Sequence, residues 1–430
     1  MDSESETEVV IVGAGPGGCL LAYLLARSGI ETVLIERHAT LDREFRGYLF
    51  QPRALEVFEQ LGLLESVLGL AHERVSRPEV VVYGRPYRTI DFAALDGAYD
   101  YALLMEQPPL LEMLIERASA FPNFEYHDRL PARDLLYEGE RVVGLLATNR
   151  RTGEAVRIRS RLVVGADGRY STVRSAAAID SGRLDSKLDL LWFKLPADAV
   201  GEIAQGRYGE AGLLLYFGLG GGVAQAGWFI PRGSYSDLRE AGIEALRERI
   251  ASVDPGLDGV LPDALEGFED CTLLRIEPGI SERWVEDGLL LLGDAAHIAS
   301  PVGGQGNALA LADAVVAHEV IARTLSLDPG DGPLPACALG RYETRRRPAV
   351  EEIVRTQRRV ERALTALVLY GGRVPKPLRR PLLRALFSLA PHTPGSGRTA
   401  ELFAFGAEPV RVDDSWFVRP ESERSSGRRL

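Results

Sequence analysis

The chain has 430 residues, 46% of them hydrophobic and 26% charged, with a formal net charge of -11. That length and apolar fraction divide the core between at least two units and exclude disorder as the default state. The acidic balance argues against a general affinity for nucleic acid, and no apolar run approaches the roughly 20 residues of an integral membrane segment. With no charged-then-apolar leader at the start, a cytoplasmic location is expected.

In chain order, the acidic opening MDSESETE is expected to be disordered. VVIVGAGPGG then reads as a buried strand breaking into a glycine turn, CLLAYLLARSG as a helix and ETVLIER as a second strand, which implies a parallel sheet. PRALEVFEQLGLLESVL and PLLEMLIERASAF carry helical periodicity, with a strand pair in PEVVVYGRPYRTIDF between them. Further strands lead into Gly165. From about Leu184 to Pro278 the runs LDLLWFKLP, GLLLYFGLGGGVAQAGWFIPRG and CTLLRIEPG indicate a separate antiparallel sheet with a helical interruption. DGLLLLGDAAH restores a buried strand, ALALADAVVAHEVIARTL is a long helix, and the chain beyond Pro333 is mostly helical with a partly loose Arg-rich tail. The expected fold class is α/β: a Rossmann-like domain over residues 1–75, 100–182 and 279–330, a β-rich substrate domain over 76–99 and 183–278, and C-terminal helices over 331–430. Cys19, Cys271 and Cys337 have neither disulfide nor metal-ligand spacing.

Gly13, Gly15 and Gly18 form GxGxxG between a strand and a helix. The first glycine permits the turn, the second lets the backbone approach a pyrophosphate, and the third packs helix on strand; the phosphate meets the helix N-terminus. Glu36 ends the second strand where an acid bonds ribose hydroxyls, and it would repel a 2′-phosphate, so this loop should hold FAD or NAD. FGLGGGVA has no helix after it and reads as a hairpin turn, leaving no second dinucleotide motif.

A second glycine-rich loop, GDAAHIASPVGGQGNA, follows the strand LLLL and carries Asp294. A carboxylate for sugar-like hydroxyls and a helix dipole for a partly anionic ring suit the other end of one elongated ligand. FAD has that shape, with pyrophosphate at the first loop, ribityl at Asp294 and flavin at the following helix.

GxGxxG, GADGRYSTVR (Gly165 to Arg174) and GDAAHIASPVGGQG together resemble the three motifs of class A flavoprotein monooxygenases of the p-hydroxybenzoate hydroxylase type, from Val9 to about Leu325. The resemblance implies noncovalent FAD, with NAD(P)H binding transiently. It implies that Glu36 holds the adenosine ribose, with Arg37 and the Ala132 backbone nearby. Arg46 and Gln107 would contact phosphates and ribityl, Asp294 the ribityl hydroxyls, and Asp167 both FAD and NAD(P)H. Gly304, Gly306 and Asn307 would lie beside the flavin ring. The family places an apolar residue before its Asn after GGQG, whereas here Asn307 precedes Ala308. In such enzymes O2 adds at flavin C4a and the hydroperoxide hydroxylates an electron-rich carbon, so no catalytic side chain is assigned.

The substrate, a small aromatic or polycyclic molecule of the phenol or polyketide-like kind, is expected against the β-rich segment. Trp192, Phe193, Tyr216, Phe217 and Trp228 are concentrated on its strands, with Trp192, Tyr216, Trp228 and Pro301 as pocket candidates. His297 reads as structural, with no third ligand for a metal. A flavin halogenase is disfavoured by Ala226 in AGWFIP and by the lack of lysine before Lys187. A flavin reductase of isoprenoid double bonds and a non-catalytic flavin-binding interaction protein are the alternatives. The basic and apolar helices RTQRRVERALTALVLY and KPLRRPLLRALFSLAP read as caps on the substrate domain.

Overall fold

The computed structural model describes residues 3–42, 48–200 and 205–418. The first strand, Ser3–Val12, is central to an eight-stranded sheet, with Ala155–Gly165 on one side and Thr32–Ile35 on the other, both parallel to it. Phe124–His127 and Leu289–Leu291 extend the parallel run outward, and Arg141–Thr148 with Ala132–Glu138 form an antiparallel annex. These strands are buried Val, Ile and Leu runs because helices Pro16–Arg27 and Gly306–Leu327 pack over the sheet and against each other.

The expectation of a disordered acidic start is overturned from Ser3 onward. Glu4 and Glu6 fall in register with Arg157 and Arg159 of the neighbouring strand, so extension of the sheet places acids beside bases.

A second sheet of seven strands runs in the order Thr272–Arg275, Leu188–Pro196, Val223–Pro231, Gly212–Gly218, Gln205–Gly209, Glu79–Val82 and Arg85–Arg88. The turn in FGLGGGVA is the expected hairpin, with Gly220, Gly221 and Gly222 all at positive φ (78°, 63° and 81°). Helices Tyr235–Ala241 and Ile243–Val253 cover one face of this sheet. The other face looks toward the first sheet and is roofed by the C-terminal end of the 35-residue helix Ala336–Tyr370 and by Lys376–Leu389. Among the described residues, no helix is long and apolar enough to cross a membrane.

Candidate functional site

The two glycine loops, almost 300 residues apart in sequence, meet at the carboxyl ends of the parallel strands. Gly13 sits at φ 105°, and a Cβ there would lie 2.6 Å from the Ala166 carbonyl oxygen; one on Gly18 would lie 2.1 Å from the Gly13 oxygen. Gly17 has the same constraint toward the second loop, 2.4 Å from a Leu292 methyl, so the helix start and that loop are in direct contact. No side chain caps the helix Pro16–Arg27, leaving its first-turn N–H groups for a ligand. Glu36 is 2% exposed and accepts hydrogen bonds from the backbone N–H groups of Ala14 (3.0 Å) and His38 (3.1 Å), which ties the second strand to the loop.

Asp294 lines the cavity between the loops, and among the described residues its carboxylate has no hydrogen-bond partner. Burial pushes its carboxyl above the ordinary range, with Arg169, His297 and Arg174 pulling the other way. Asp167 also lines the cavity, yet its oxygens accept from the Ser171 hydroxyl (2.5 Å) and from the Thr172 (2.6 Å) and Val173 (3.2 Å) amides. It therefore caps the short helix Thr172–Ala176, and burial outweighs these bonds to raise its carboxyl as well.

The second loop is fastened from behind by buried charges. His297 Nε2 lies 2.6 Å from Asp313 Oδ2, the Gly293 N–H donates to the same oxygen at 3.1 Å, and Arg346 Nε donates to Asp313 Oδ1 at 2.8 Å. His297 and Arg346 beside it hold the Asp313 carboxyl down at about 2, against a burial effect of opposite sign. His297 thus fastens the second loop to Asp313, and among the described residues no group of three or more His, Cys, Asp or Glu side chains is placed to hold a metal ion. Farther along, the fully buried Gln357 on the long C-terminal helix exchanges hydrogen bonds with the Ser300 backbone, while Ser300 Oγ donates to Glu361 at 3.0 Å. Gln51 Nε2 donates to the Gly303 (3.1 Å) and Gly304 (2.7 Å) carbonyls, and its buried Oε1 has no partner.

One continuous cavity of about 1130 Å³ runs from the first loop past Asp294 and Pro301 to the seven-stranded sheet. Gly15, Gly18, Arg37, Gln107, Asp167, Asp294, Pro301, Gly304, Gly306 and Asn307 all reach it. Gln107 and Asn307, 200 residues apart, are joined by a 2.7 Å bond from Gln107 Nε2 to Asn307 Oδ1, and Asn307 Nδ2 donates to the Leu49 carbonyl at 3.2 Å. Ala132 does not line the cavity; it opens an annex strand opposite Ala147, two residues after Leu130, whose amide donates to the Glu36 carbonyl at 2.8 Å. Arg46 lies outside the described residues.

Two pocket candidates are corrected. Tyr216 and Trp228 face away from the cavity into the core under helix Ile243–Val253, where the Tyr216 hydroxyl donates to Asp254 and the Trp228 indole to the Ala211 carbonyl. Period-two alternation gives the cavity Leu213, Leu215 and Phe217 from the same strand, and Phe229 from the next. Trp192 does line it, beside Phe217 (6.1 Å between ring centroids) and Tyr48 (6.2 Å). Polar side chains on this sheet wall are few; Glu79 accepts a 2.7 Å bond from Gln205, and both line the cavity. Sequence reasoning missed Gln51, Tyr48, Glu79 and the roof residues Leu364, Leu367 and Phe387, none of which belongs to a motif.

The donors present fit FAD. An uncapped helix N-terminus suits a pyrophosphate, the unpartnered Asp294 carboxylate suits ribityl hydroxyls, and the orphaned Gln51 oxygen awaits a donor beside the second loop.

Comparison with known proteins agrees. The family described as FAD binding domain matches residues 6–357. The 6-methylpretetramide 4-monooxygenase of Streptomyces rimosus is 36% identical over 419 residues, covering 97% of this chain and 96% of that protein. Digeranylgeranylglycerophospholipid reductase 2 of Methanococcoides burtonii is 26% identical, covering 74% of this chain and 75% of its own length. Among solved structures, PqsL of P. aeruginosa in complex with 2-aminobenzoylacetate superimposes with a TM-score of 0.71 at 25% identity, covering 84% of this chain and 97% of that one.

Proposed function

The chain belongs to the FAD binding domain family and is an FAD-dependent monooxygenase of the class A flavoprotein type, and from that premise we propose that it uses NAD(P)H and O2 to hydroxylate a polycyclic aromatic substrate of the polyketide kind. The observation that carries the substrate class is the continuity of the cavity: the space at Asp294 and Pro301 opens without interruption onto a broad apolar wall with Trp192, Phe217 and Tyr48 at its centre. A flat, fused aromatic skeleton suits offset and edge contacts with such rings.

FAD held here would supply the two-electron exchange with the nicotinamide and the activation of O2. The chain's own residues do the rest. The N-terminus of Pro16–Arg27 would bind the pyrophosphate, Asp294 would accept from the ribityl hydroxyls, and the Gln107–Asn307 pair would steady the loop that faces the ring. Arg46, Arg37 and Glu36 would serve the adenosine and phosphate end. Leucines of the sheet and roof exclude water, and Glu79, steadied by Gln205, offers a carboxylate oxygen to a phenolic hydroxyl. In this reading residues 1–75, 100–182 and 279–330 form the flavin unit and 76–99 with 183–278 the substrate unit. The enzyme would work in the cytoplasm, in secondary metabolism, where reduced nicotinamide is at hand.

The test is incubation of the purified holoenzyme with polycyclic phenols, NAD(P)H and 18O2. One labelled oxygen atom per product molecule, with NAD(P)H consumed in step, is the expected result. A product that gains hydrogen and no label would replace this reading with a double-bond reductase.

A further inference from the structure

We propose that a groove beside the main cavity, lined by Arg355, Arg358, Arg359 and Arg362 of the helix Ala336–Tyr370 against the single carboxylate Glu351, and floored by Leu184, Ile280 and Val354, binds the phosphates of the reduced nicotinamide co-substrate. The inference rests on the reading that this enzyme consumes NAD(P)H.

The four arginines are spaced at i, i+3, i+4 and i+7, so they share one helix face. Among the described residues none of them makes a hydrogen bond or ion pair, although the chain carries a net charge of -11. The same helix shows the contrast. Three turns earlier, Arg345 pairs with Glu319 and Glu408, Arg346 with Asp313, and Arg347 with Glu343. Like charges at helical neighbours repel, and an anion seated among them removes that cost. Guanidinium groups hold phosphate in paired hydrogen bonds, and a volume of about 500 Å³ with an apolar floor leaves room for more than a small ion.

Position supports the assignment. Ile280 lies in the short strand hydrogen-bonded to His297–Ile298 of the second loop. Leu184 follows Arg183, whose guanidinium lies 5.0 Å from the Tyr170 ring centroid and donates to the Arg169 carbonyl at 3.2 Å. Arg169 and Tyr170 line the main cavity, so groove and cavity share a wall. Glu36 disfavours a 2′-phosphate at the first loop and the sequence holds no second GxGxxG, which leaves the co-substrate's phosphates to be held elsewhere.

The test is calorimetric titration of the holoenzyme at low salt with NADP+, NAD+ and inorganic pyrophosphate, for wild type, the exposed pair R355Q/R359Q, and R249Q/R323Q as a charge-matched control away from the groove. The groove variant is expected to raise the Kd for NADP+ by about tenfold or more, with the control unchanged and added salt weakening wild type most. Pyrophosphate alone should bind more weakly than NADP+ and compete with it. An unchanged Kd for NADP+ in R355Q/R359Q overturns the proposal, as does loss of pyrophosphate binding alone, which would mark a site for free polyanions. Hydroxylation by wild type with unaltered NADP+ binding in the variant sinks only this inference; impaired NADP+ binding without labelled product sinks the proposed reaction and keeps the groove.

Discussion

Asp313 is fully buried, and its two oxygens are held by three partners, the His297 ring, the Arg346 guanidinium and the Gly293 amide. Asp313→Asn keeps the volume and removes the charge, leaving the 2%-exposed Arg346 guanidinium without its buried carboxylate. Breaking such a pair from one side costs up to about 3–5 kcal/mol, less here to the extent that Arg346 keeps its 3.4 Å contact with Glu408. The loss should appear as a lower urea midpoint, followed by flavin fluorescence, with weaker FAD retention since the second loop loses its anchor. A variant within about 1 kcal/mol of wild type would show that the network does not hold the loop. Sequence proximity puts His297 beside Asp294, but the partner it actually takes, Asp313, stands 16 residues away, and Arg346 a further 33, in helices whose composition hides them. Gln51 is hidden for the same reason, since nothing local marks a glutamine that bonds carbonyls 252 and 253 residues away.

At the level of elements, motif-bearing loops were legible because glycine and acid are required by backbone geometry and charge. The phase of the strands was not. Gly212–Gly218 is covered on both faces, so Leu213, Leu215 and Phe217 on the cavity side are as apolar as Leu214 and Tyr216 on the core side. Without polar alternation, no pattern says which set meets the ligand. The C-terminal helices were read as caps, and they do roof the cavity, with Val360, Leu364 and Leu367 from one helix and Leu386 and Phe387 from the other. Leu364 therefore offers a test of where the substrate lies. Leu364→Trp projects added volume into the apolar half, away from the glycine loops, and should lower kcat/KM for a polycyclic substrate by about tenfold or more while bound FAD stays stoichiometric. Unchanged kinetics with full FAD would move the substrate away from this roof.

Across the whole molecule, the chain closes on itself. The C-terminal segment returns to the N-terminal helix, where the Val418 amide donates to the Arg27 carbonyl and the Phe417 ring lies 4.2 Å from the Arg27 guanidinium. His318 sits at this closure, 2.7 Å from Ser28 Oγ and 5.6 Å from the Phe417 ring. Burial pushes its imidazole down to about 4, against a weaker pull upward from Asp413. Above the ordinary value of 6.5 the ring is neutral in both folded and unfolded chains and adds no pH dependence. As pH falls from there toward about 4, the unfolded chain takes up a proton that the folded one refuses, so stability is lost through that window, by up to about 3 kcal/mol. Asp313 acts lower: its carboxyl is held at about 2 against an ordinary 3.8, so its contribution persists above 3.8 and disappears as pH falls toward 2. The two windows are separate, which makes them assignable. His318→Gln should flatten the upper limb of a plot of urea midpoint against pH and leave the lower limb in place. If the upper limb persists unchanged in His318→Gln, the closure between the chain's two ends is not what titrates there.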